Sequence, residues 1–113
     1  MTSGAAPSAG ENPFAGQGAV LLDIGGDVGA VVVTTPADMV GVEVEIRAVG
    51  AHRHHHPHVA VVNRPVAGTV VPSLVYAEVV QGRYELAVKD TDDVRLTVEV
   101  TGGSVATAEW PAQ

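Results

Sequence analysis

The sequence predicts an all-β chain folded as one antiparallel β-sandwich of about seven to eight strands. Three observations carry that reading. Valine supplies 23 of the 113 residues, against five leucines and two isoleucines, and a side chain branched at Cβ fits a pleated strand better than a helix. Short apolar runs recur between turn signals at the spacing of roughly 8–12 residues that sandwiches show. No window long enough for a helix carries its apolar residues at the helical period. A chain of 113 residues suits one domain with one core.

The elements follow in order. Residues 1–17 are rich in Gly, Ala, Ser and Pro and lack periodicity, which predicts a flexible lead-in and leaves 18–113 as the domain. Ala19–Ile24 reads as a first strand, and Gly25-Gly26-Asp27 supplies a tight turn, because glycine tolerates positive φ. Val28–Thr35 has apolar or small residues on both faces, as expected of a central, doubly covered strand. Pro36 breaks it, with room for a short 3₁₀ turn through Met39. From Gly41 the alternation is clean: Val42, Val44, Ile46 and Ala48 point one way, and Glu43, Glu45 and Arg47 the other.

The histidine segment 51–58 reads as a loop running into a strand, His58–Asn63. Asn63–Gly68 is expected to be a second loop, and Thr69–Val80 a strand interrupted near Pro72. A turn at Gln81–Tyr84 leads to Tyr84, Leu86 and Val88 facing inward, with Arg83, Glu85 and Lys89 outward, and Asp90–Asp93 is a polar turn. Val94, Leu96, Val98 and Val100 alternate with Arg95, Thr97 and Glu99. Gly102-Gly103 is then expected to close a hairpin into Ser104–Trp110.

Two resemblances add to this reading. Gly82-x-Tyr84 resembles the start of a late strand in immunoglobulin-like sandwiches, where a tyrosine hydroxyl bonds back to the backbone as a tyrosine corner. The last third, GRYELAV followed by VRLTVEVTGGSVATAEW, is similar to the end of carboxypeptidase-regulatory and prealbumin-like sandwich domains. That similarity implies sheet-building positions and no catalytic residues. The stretch Glu11–Asp27, with the HVAVV strand and the VTGG hairpin, resembles an uncharacterised family of small actinobacterial β-sandwich proteins with a histidine-rich insert. It implies a fold and no activity.

Composition excludes several classes. With no cysteine, disulfides, thiolate metal sites and cysteine nucleophiles are ruled out. Six Lys and Arg against 13 Asp and Glu give a formal charge of −7, which opposes a phosphate-binding surface, so no nucleic-acid partner is expected. The N-terminus lacks the basic and apolar regions of a secretory signal, and no apolar run approaches the roughly 20 residues of a membrane span. The expectation is a cytoplasmic protein with no membrane partner.

One feature carries chemistry: His52, His54, His55, His56 and His58, five histidines within seven residues. In an extended strand His52, His54, His56 and His58 would share one face, with His55 opposite. Neutral imidazoles at that spacing can converge on a borderline ion such as Zn, Cu or Ni. Asp23, Asp27 and Glu78 are candidate additional ligands by chemistry alone. Imidazole is the side chain that ordinarily changes charge near neutrality, and protonation of all five would take the formal charge from −7 to −2, so a pH response is a further expectation. The bland alternative is a solvated loop, favoured by Gly50 and Pro57.

Other motifs dissolve on inspection. His54-His55-His56 and His56-Pro57-His58 match the H-x-H of cupins, but the following glutamate and the second histidine motif are missing. Gly25–Gly29 lacks the lysine and helix of a phosphate-binding loop, and Asp90–Asp93 lacks the glycine and glutamate of a calcium loop. No nucleophile elbow or triad is present. The expectation is therefore a non-enzymatic binding module that displays the histidines, with a transition metal as ligand. The alternative is a protein–protein interaction or homo-oligomeric assembly domain in which the histidines are incidental.

Overall fold

The computed structural model describes residues 22, 24–50 and 56–111. The predicted lead-in 1–17 and all but Leu22 and Ile24 of the first predicted strand lie outside the described residues. Eight strands follow: β1 (Val28–Thr34), β2 (Glu43–Ala48), β3 (His58–Ala60), β4 (Val62–Val66), β5 (Thr69–Val80), β6 (Gly82–Val88), β7 (Val94–Val100) and β8 (Val105–Glu109). They form two sheets, ordered β4-β5-β1-β8 and β3-β2-β6-β7, which pack as a sandwich. All pairings are antiparallel except β1 with β8, which is parallel.

The valines build this because alternation sends every second one inward. Val31 and Val33 of β1 and Leu74 of β5 meet Val44 of β2 and Leu86 of β6, all fully buried. At roughly 1.5–3 kcal/mol for each side chain removed from water, this cluster is the main stabilising term. One polar bond stitches the layers: the buried Tyr76 hydroxyl in the first sheet donates to the Val44 carbonyl in the second, at 2.8 Å. Burial, with Glu45 nearby, pushes that phenol well above its ordinary pKa, so it remains a donor at any physiological pH. The tyrosine corner is also present, with the Tyr84 hydroxyl donating to the Val80 carbonyl at 2.6 Å.

Several expected local features are there. Gly25 and Val28 exchange two backbone hydrogen bonds of 2.9 Å around Gly26, whose φ of 57° requires glycine's freedom. Ala37–Met39 is a 3₁₀ turn after Pro36. Val44 and Ile46 face the core from β2, while Glu43, Glu45 and Arg47 face outward.

Four expectations are corrected. Ala19–Ile24 does not form a hairpin strand beside β1 at its described residues: Leu22 and Ile24 are not in strand, since β5 and β8 occupy both edges of β1. Asn63–Gly68 is not a loop. Its first four residues belong to β4, and only Ala67-Gly68 turn the chain; Pro65 is accommodated because β4 is an edge strand. Pro72 does not interrupt β5, and its carbonyl still accepts from the Thr35 N–H at 3.0 Å. The irregularity of β5 falls instead between Tyr76 and Val79, which pair with Val31 and Gly29 across an extra residue.

The fourth correction is topological. Gly102-Gly103 closes no hairpin; the chain crosses from the second sheet to the first, where β8 runs parallel to β1. Gly103 N–H donates to the Val28 carbonyl at 2.9 Å and Ala30 N–H to the Ser104 carbonyl at 3.1 Å, latching the crossover to β1. Gly29 makes room for it, since a Cβ there would stand 2.5 Å from the Thr101 oxygen and 2.7 Å from that of Ser104.

Candidate functional site

The histidine segment leads into β3, the short edge strand of the second sheet. His52, His54 and His55 lie outside the described residues; His56 and His58 are described. Strand pairing places them. His58 stands opposite Glu45 of β2, and the Ile46 N–H donates to the Pro57 carbonyl at 3.0 Å, extending the contact one residue before the strand begins.

His58 sits on the charged outer face of the second sheet. Its Nε2 is 3.9 Å from Glu43 Oε1, and Lys89 Nζ is 3.6 Å from the same oxygen. Beside them the Glu45 carboxylate accepts from Arg47 at 2.7 and 3.0 Å. Burial alone would raise the Glu45 pKa. The hydrogen bond and charge of Arg47, the charge of His56 and the Asp90 backbone outweigh it and hold the carboxyl below its ordinary value. Glu45 therefore stays anionic below the ordinary carboxylate range, with its negative charge near His56 and His58.

His56 is placed differently. It lines a cleft of about 530 Å³ at one end of the sandwich, walled by Ile46, Val59, Tyr76 and Tyr84 and bordered by Glu78. The expectation that His56 and His58 share a strand face is thus only partly met: β3 begins at His58, so strict alternation does not extend back to His56. Of the three candidate carboxylates, Asp23 lies outside the described residues, and Glu78 shares the cleft with His56. Asp27 sits in the turn before β1, where its carbonyl accepts from Gln81 N–H at 2.7 Å. Among the described residues no three His, Asp or Glu side chains come close enough to hold a metal ion.

Sequence reasoning missed Glu43, Glu45 and Lys89 as neighbours of His58. The outward direction of Glu43 and Glu45 was readable from alternation, but the pairing of β2 with β3 is a long-range contact with no local signal. Among the described residues no helix is long and apolar enough to cross a membrane. No family model, curated protein or solved structure matches this chain.

Proposed function

We propose that the protein is a non-enzymatic β-sandwich module whose histidine segment binds a transition metal ion, Zn²⁺, Cu²⁺ or Ni²⁺. The supporting observation is the setting of His56 and His58, which bring the end of a five-imidazole run beside the carboxylates Glu43, Glu45 and Glu78. Imidazole nitrogen with carboxylate oxygen is a donor set suited to borderline divalent ions. The two described histidines do not complete a site, so the remaining ligands belong to His52, His54 and His55. A body carrying −7 further favours a cation over an anion at this edge.

Isothermal titration with each of the three ions tests this, comparing the wild type with a His54→Ala/His56→Ala/His58→Ala variant. Binding at roughly micromolar or tighter in the wild type, lost in the variant, is the expected result. Equal weak binding in both would refute it.

A second reading, an assembly domain with incidental histidines, draws on a specific feature: both sheets are open, with β3, β4, β7 and β8 as edges. Such edges can accept a strand from a partner or from another copy. Sedimentation that changes with protein concentration would favour it.

A further inference from the structure

The two outer faces of the sandwich differ in kind. That of the second sheet carries Glu43, Glu45, Arg47, Glu85 and Glu99, as solvent demands. Register puts Val28, Val32, Val62, Val71 and Val75 on the side of the first sheet away from the core, and all five are half-buried. Three further residues of this outward side are buried: Ala30 at 0%, Ser73 at 5% and Arg64 at 6% exposure. The Arg64 guanidinium lies along the face, donating to the Ser73 carbonyl at 2.5 Å, the Ser73 hydroxyl at 3.0 Å and the Val62 carbonyl at 3.3 Å. The second sheet cannot bury these residues, since it packs on the opposite side. All eight described strands lie in the two sheets, and the 3₁₀ turn packs its Met39 against the core.

We propose that the chain's own segment Ala19–Ile24 docks across this valine-rich outer face and covers it. The path of the chain argues for this occupant over another molecule. The Gly25–Val28 turn reverses direction at the start of β1, so Ile24, just before it, points back along β1. It cannot join the sheet, because β5 and β8 hold both edges of β1. Ile24 and Gly25 already line a depression with Val28, Val80 and Glu78 on the outer side. The segment Ala-Val-Leu-Leu-Asp-Ile is apolar but for Asp23, and six extended residues reach about 20 Å, close to the span of the seven-residue β1.

Two truncations and a cross-link test the proposal. A chain lacking residues 1–17 keeps the segment and should match the full chain in ANS fluorescence and sedimentation. A chain lacking residues 1–23 should bind ANS several-fold more strongly and self-associate. If that second chain stays monomeric, dark to ANS and native in its Trp110 fluorescence, the face needs no cover and the proposal fails. It fails equally if the full chain is a dimer that the longer truncation makes monomeric, because the cover would then come from a second copy. Should the longer truncation not fold, cysteines in the full chain decide. Because the sequence has none of its own, Val20→Cys, Leu21→Cys or Leu22→Cys can each be combined with Val75→Cys. An intramolecular disulfide in at least one pair, and none with Thr97→Cys on the opposite face, is expected; equal yields at both positions would overturn the proposal.

Discussion

At Glu45 a single carboxylate shows how the charged face is held together. It stands opposite His58, bonded to Arg47, which also donates to the Thr91 carbonyl at 2.5 Å. Because its pKa is depressed in the folded chain, its contribution is present above the ordinary carboxylate range and is lost as pH falls through the folded value. Glu45→Gln should therefore cost about 1 kcal/mol at about pH 7, and the cost should shrink as pH falls below the ordinary carboxylate range and the folded carboxyl takes up its proton. Denaturant melts above and below that range measure this. An equal cost at both would assign the effect to packing rather than charge. The residue-level chemistry was legible in part. The five histidines and the outward glutamates could be read from order and alternation, but the proximity of His58 to Glu43 and Glu45 depends on β2–β3 pairing, which joins residues set well apart in the sequence.

At the scale of elements, the crossover after β7 is the departure that local pattern could not disclose. Gly102-Gly103 has the composition of a hairpin turn, and a hairpin and a sheet-to-sheet crossover use the same residues. The difference is made by a distant glycine. Gly29 removes a side chain where the Thr101–Ser104 backbone passes, so β8 can settle parallel to β1. Gly29→Ala should accordingly destabilise the fold by about 3 kcal/mol or more, since the obstructing atoms are backbone oxygens that cannot swing aside. Thermal unfolding by circular dichroism checks it, with a loss under roughly 1 kcal/mol counting against the tight crossover. The proline misreadings have a similar origin. Pro65 and Pro72 look like breaks in a one-dimensional pattern, whereas in the sheet Pro65 lies on an edge strand and Pro72 still accepts through its carbonyl.

For the whole molecule, the valine-rich, aromatic-poor composition becomes a sandwich with two unlike outer faces, and the apolar content of Val28–Thr34 on both its sides was the readable sign of the covered one. The acidic charge gathers meaning at the other face, where Glu43 and Glu45 stand near His58 at the end of the histidine run. We propose that the β3 edge, rather than any other described part of the molecule, receives the transition metal ion. A ¹H–¹⁵N correlation spectrum titrated with substoichiometric Cu²⁺ tests it most directly, because paramagnetic broadening falls off steeply with distance. The amides of His56 and His58–Ala60 and of the facing Glu43–Ile46 should broaden first, while those of β4 and β8 remain sharp. Uniform broadening, or loss centred on any other edge, would contradict it.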